Sequence, residues 1–101
     1  MDVRFSVQDR KMVIAICGDL DNAAAPEAEK MMERVYTQDE YDILVDCSHL
    51  NYISSKGLRL LINLYKHCRN TGHRSYITNM NENVREVLFI GDFLKLYEEI
   101  K

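Results

Sequence analysis

The hydrophobic period of this chain switches repeatedly between two residues and about 3.6, the pattern of strands alternating with helices. Val3, Phe5 and Val7 alternate with polar neighbours, as in a strand with one buried face. Gln8-Asp9-Arg10-Lys11 is a polar break short enough for a hairpin turn. Met12-Val13-Ile14-Ala15-Ile16-Cys17 is a continuous apolar run, the pattern of a strand covered on both faces, and Gly18 ends it. Asp19 to Ala25 leads to a helix opened by Pro26, with Ala28, Met31, Met32, Val35 and Tyr36 as its apolar stripe. Met31 and Met32 read as core filling. Tyr41 to Cys47, centred on Ile43-Leu44-Val45, is a third strand. A more buried helix follows Ser54-Ser55-Lys56-Gly57, with Leu58, Leu61, Ile62, Tyr65 and Cys68 widened by Leu60 and Leu64, and Asn70-Thr71-Gly72 stops it. Arg74 to Met80 reads as a fourth strand, and Asn81 as the N-cap of a short helix carrying Val84, Val87 and Leu88. Phe93 to Ile100 fits a last helix or, around Leu94-Lys95-Leu96, a short strand. Strands alternating with helices predict an α/β fold with a partly parallel sheet and an antiparallel hairpin at its start.

At 101 residues the chain fits one domain, residues 1–101, too short for a two-lobed enzyme with a cleft between lobes. With 47% hydrophobic and 29% charged residues it has a globular composition. Its 13 Lys and Arg against 16 Asp and Glu argue against a nucleic-acid partner, whose phosphates demand clustered cations. No apolar run is long enough to insert in a membrane, and the N-terminus does not read as a signal peptide. Cys17, Cys47 and Cys68, an odd count at wide spacing, read as buried thiols in a reducing cytoplasm rather than a disulfide framework.

The stretch from Asp46 to Arg59 carries the most chemistry. Two serines stand where a helix begins, at backbone N–H groups that favour a hydroxyl cap or a phosphate. Ser54 or Ser55 is therefore a candidate N-cap or phosphorylation site. Gly57 is costly inside a helix, so it is expected to permit close approach of another backbone. A hydrolase set of Ser55, His49 and Asp46 lacks the Gly-x-Ser-x-Gly elbow. Cys47, His49, His67, Cys68 and His73 lack zinc-site spacing, so no metal is expected. His67 reads as a solvated helix-end residue and His73 as a loop residue. Asp19, Asp21 and Asn22 resemble the start of a calcium loop without its glycine and terminal glutamate. No phosphate-binding glycine loop is present, and no cofactor is expected.

Together these residues resemble a STAS domain, the family of the anti-sigma factor antagonists. The resemblance covers nearly the whole chain. It rests on Gly18-Asp19-Leu20-Asp21, Ala25-Pro26-Glu27, the run from Ile43 to Arg59, Gly72, and Gly91-Asp92-Phe93. It implies a STAS-like mixed sheet of four to five strands with an N-terminal β-hairpin, flanked by three to four helices. It implies a non-catalytic, cytoplasmic interaction module that binds an anti-sigma factor acting also as a serine kinase, in partner-switching control of transcription. Phosphorylation of a serine at the start of the second long helix blocks that binding in the family. The usual motif is Asp-Ser-Ser/Thr-Gly-Leu, and here the matching positions read Ser54-Ser55-Lys56-Gly57-Leu58, with Lys56 at the acceptor position. Ser55, then Ser54, are the phosphorylation candidates. The expected partner surface comprises Asp19, Asp21, Asn22, Asn51, Tyr52, Ser54, Ser55, Lys56, Gly57 and Arg59. Many members continue into a final helix beyond the position of Lys101. The alternative the resemblance allows is an accessory subunit of a transport or lipid-trafficking complex without a serine switch.

Overall fold

The computed structural model describes residues 1–100; Lys101, the end of the predicted domain, lies outside the described residues. The elements are β1 (Asp2–Gln8), β2 (Lys11–Leu20), α1 (Ala25–Met31), α2 (Glu33–Tyr36), β3 (Asp42–Asp46) and β4 (Leu50–Ile53). They continue with α3 (Ser55–Asn70), β5 (Ser75–Thr78), α4 (Glu82–Ile90), a 3-10 turn at Phe93–Lys95, and β6 (Glu98–Ile100). The expected α/β mixed sheet forms, with six strands where four to five were counted: its order is β1-β2-β3-β5-β6, and β4 pairs with β2. β1 and β2 make the antiparallel hairpin, and the other pairings are parallel. Asp9 and Arg10 at its tip have φ of 51° and 62°, the double left-handed conformation that matches a two-residue hairpin to strand twist.

The steps from β2 to β3, β5 and β6 all run in one direction, so right-handed crossovers place their helices on one face. Ile14, Ile16, Ile43, Val45 and Ile77 are buried against them, with Ala28, Met32, Val35, Leu60, Leu61 and Leu64. On the other face Val13 is buried, but Ala15, Cys17, Leu44 and Tyr76 are only half-buried. This corrects the reading of Met12 to Cys17 as covered on both faces. Gly18 likewise does not end β2. Its φ of +95° makes an irregularity after which the strand runs on to Leu20 beside β4, its amide donating to the His49 carbonyl at 2.8 Å.

The single predicted first helix is two. The Met32 amide is shared between the carbonyls of Ala28 and Glu29, which tightens the chain into a turn there. Met32 fills the core while Met31 is half-buried. The last segment, predicted as either helix or strand, is a 3-10 turn followed by β6.

Candidate functional site

The C-terminal ends of β2 and β4 lie side by side, with Asp19 opposite Tyr52 and Leu20 opposite Ile53. The Ser54 amide donates to the Leu20 carbonyl at 2.9 Å, which brings the loop into α1 beside the loop into α3. Ser54 is extended, with φ −95° and ψ 176°, and its Oγ accepts from the Gly57 amide at 3.2 Å. It is therefore the N-cap of α3. Only 6% of Ser54 is exposed. Gly57 sits one turn in, where an added Cβ would lie 2.8 Å from Ile53 Cγ1 and 2.9 Å from Leu20 Cγ. It permits close approach of side chains, not of the backbone expected from sequence.

These two residues correct the expected partner surface: Ser54 and Gly57 are buried and build the helix start from inside. The buried, engaged Ser54 hydroxyl also leaves Ser55 as the accessible one of the two. Ser55, Lys56 and Arg59 are exposed. They border a groove of about 470 Å³ that also contacts Pro26 and Glu29 of α1. Asp19, Asn22 and Asn51 are exposed, and Tyr52 is 50% exposed. Asp21 is half-buried, and its carboxylate accepts from the Ala24 amide at 2.8 Å, so it turns the chain into α1 rather than facing outward. The site thus gathers one serine hydroxyl, two cations, an aspartate and a tyrosine on one end of the domain.

Lys56 is the second residue of α3, at the positive end of the helix dipole, and no acidic residue occupies that first turn. A cation there opposes the dipole by about 0.3–1 kcal/mol. Local stability therefore does not account for a lysine at this position.

The alternative chemistry is not assembled. The Ser48 hydroxyl, not Ser55, lies 3.2 Å from His49 Nδ1. Asp46 accepts from the Ser48 amide and from Asn79 Nδ2. Burial pushes the Asp46 carboxyl up, but these donors outweigh it and hold it below the usual carboxylate value. Burial raises the Cys47 thiol to about 12 and the Cys68 thiol to about 11, far from a reactive thiolate. Among the described residues no three His, Cys, Asp or Glu side chains cluster to hold a metal. No helix of the described residues is long and apolar enough to cross a membrane.

Two histidines do more than their sequence positions suggested. His67 is half-buried rather than solvated, with Nε2 2.7 Å from the Gln38 carbonyl and its ring edge-on to Tyr36. His73 bonds the Asp39 carbonyl and the Asp42 carboxylate, pinning the start of β3 to the start of β5. Asn81 caps α4 as expected, through a 2.8 Å bond to the Val84 amide. Its Nδ2 also donates to the Leu50 and Asn51 carbonyls and so holds β4 in place, a long-range role with no local signal.

This fold, with a helix start standing beside paired strand ends, defines a class of α/β domain with a mixed sheet. The STAS domain profile matches residues 2–101, and the chain belongs to that family. A Bordetella bronchiseptica protein, BtrV, named for the anti-sigma factor antagonists, is 27% identical over 89 residues, covering 88% of this chain and 77% of that protein. A crystal structure from Thermotoga maritima, titled for the same class, superposes with a TM-score of 0.88 at 17% identity, covering 98% of this chain and 86% of that one. The Bacillus cell fate determinant SpoIIAA in its phosphorylated form superposes at 0.74 and 17% identity, covering 99% of this chain and 92% of that one.

Proposed function

We propose that the domain is a non-catalytic, cytoplasmic module of the anti-sigma factor antagonist type, whose partner is an anti-sigma factor with serine-kinase activity. The surface that meets this partner is Asp19, Asn22, Asn51, Tyr52, Ser55, Lys56 and Arg59. The observation that carries the reading is Lys56: an exposed cation held where the helix dipole disfavours it, at the helix start beside the paired ends of β2 and β4. A residue that breaks a local rule without a compensating contact points to function. Lys56 presents a fixed positive charge to an acidic patch of the partner and strengthens the complex by charge complementarity. Kinship with BtrV in the same family supports the class of partner.

Ser55 is the hydroxyl that a kinase bound here reaches. A phosphate on it adds about −1.5 to −2 charge next to Lys56 and Arg59. It neutralises the cationic patch and disrupts binding to an acidic partner surface. Incubation with the kinase and ATP, followed by mass spectrometric mapping, tests this arm. Phosphate on Ser55 and not on Ser54 is expected. A chain that stays unmodified removes the switch while leaving the binding arm to be measured separately, and phosphate on Ser54 contradicts the assignment of the cap.

A further inference from the structure

At the other end of α3 lies a second cleft, of about 440 Å³, between the C-terminal half of that helix, the start of β5 and the segment entering β6. Its α3 lining residues, Tyr65 to Arg69, lie roughly 15–21 Å along the helix from Ser55 at 1.5 Å per residue. Its lining includes Arg69, Arg74 and Lys95, against a single carboxylate, Glu98. That local excess of positive charge stands on a chain whose net charge is −3.

The arginines have no structural task that explains them. Both are exposed, and neither guanidinium has an ion pair or hydrogen bond among the described residues. Arg69 lies in the last turn of α3, where a cation commonly serves the free carbonyls. Here those carbonyls are already served. Thr71 Oγ1 donates to the His67 and Cys68 carbonyls, the His73 amide to Cys68, and the Gly72 amide to Arg69. Lys95 pairs with Asp92 at 3.2 Å, but both side chains are more than 70% exposed, so the pair is weak and Lys95 can be recruited. Tyr65, one turn before Arg69 on the same helix face, and half-buried Leu96 supply an apolar wall beside the cations.

From this cleft, with two unpaired arginines and a lysine facing a tyrosine wall, we infer a binding site for a small organic phosphate monoester. The phosphate is held by Arg69, Arg74 and Lys95, and the aromatic or sugar body lies along Tyr65 and Leu96. Guanidinium groups suit a phosphate because their donors match its oxygens in pairs. The volume falls within the roughly 300–1,000 Å³ of small-molecule sites. The inference does not depend on the partner surface at the opposite end of the helix.

The test is an NMR titration of the full chain with phenyl phosphate at low salt, with inorganic phosphate in parallel. Saturable shifts are expected at residues 69, 73–76 and 95–98, with a Kd of about 1 mM or tighter. Inorganic phosphate, which has no body to lie on Tyr65, binds more weakly. The double variant Arg69→Gln, Arg74→Gln is expected to keep its circular dichroism and melting temperature and to lose at least about tenfold in affinity, since hydrogen bonds to charged groups each contribute that order. Absence of saturable shifts, unchanged binding by the double variant, or shifts confined to residues 55–59 would each overturn the inference. So would tight binding of a polyglutamate peptide with none of phenyl phosphate, which would assign the cleft to an acidic protein segment.

Discussion

Gly57→Ala tests the packing that sets the start of α3. In a helix interior the change from Gly to Ala is favourable by about 1 kcal/mol. At this position the new Cβ meets Ile53 Cγ1 at 2.8 Å, Leu20 Cγ at 2.9 Å and Leu20 Cδ2 at 3.0 Å. Leu20 is fully buried and Ile53 is 2% exposed, so neither has solvent to move into. Overpacking a tight core costs about 1–3 kcal/mol, and contacts this short belong to the upper part of that range. The net expectation is a loss of about 1–2 kcal/mol, which lowers the melting temperature of a domain this size by roughly 5–15 °C. Leu20→Ala alone removes the crowding leucine atoms at a cost of about 2–5 kcal/mol. Combined with Gly57→Ala, it is expected to relieve about 1 kcal/mol of the clash, which a double-mutant cycle read by urea unfolding resolves. A neutral or stabilising Gly57→Ala, or strictly additive costs in the double variant, would show that the Leu20–Ile53 pocket has room for the added methyl.

Ser54→Ala removes the α3 cap and leaves the Gly57 amide without its acceptor, so a loss of about 1 kcal/mol is expected in thermal or urea unfolding. Lys56→Glu puts a favourable charge at the dipole and is expected to stabilise the fold by about 0.5 kcal/mol in the same assay. His73 gives stability a pH dependence. Its bond to the Asp39 carbonyl, then its pairing with Asp42, holds the ring above its ordinary value of 6.5. Its contribution is complete below that value and is lost as the pH rises through the elevated one. Burial pushes Asp42 up, but the Arg74 amide and His73 outweigh it and hold the carboxyl below its ordinary 3.8. Its contribution is present above 3.8 and lost as the pH falls through the depressed value. Calorimetric melting across pH is expected to show the pair at full strength between about 4 and 6.5, and His73→Gln to flatten the alkaline side.

Periodicity carried the main elements because each strand or helix here buries a regular face: Ile14 and Ile16, Ile43 and Val45, Leu60, Leu61 and Leu64. It failed where a short element has no such face. In β4 only the end residues Leu50 and Ile53 are buried, so four residues carry no alternation to read. Gly18 looked like a terminator because a glycine's left-handed φ is invisible in sequence and serves equally to end a strand or to bend one. At the candidate site the sequence placed a cap, a hydroxyl and a cation at one helix start. It could not say which serine was which. Ser54 and Ser55 are the same residue type one position apart, and only the β4 strand end, tied to the Leu20 carbonyl, turns the first inward and the second outward.

The outward surface at the start of α3 is proposed to recognise its partner through the fixed charge of Lys56. Titration calorimetry of this chain, and of Lys56→Glu, against an anti-sigma factor with serine-kinase activity that co-purifies with the native chain tests that recognition. Binding by the native chain is expected, with a loss of at least about tenfold for Lys56→Glu, the size of one close interfacial charge pair. The more stable fold of that variant separates lost binding from lost structure. Equal affinity for both chains would contradict that role of Lys56.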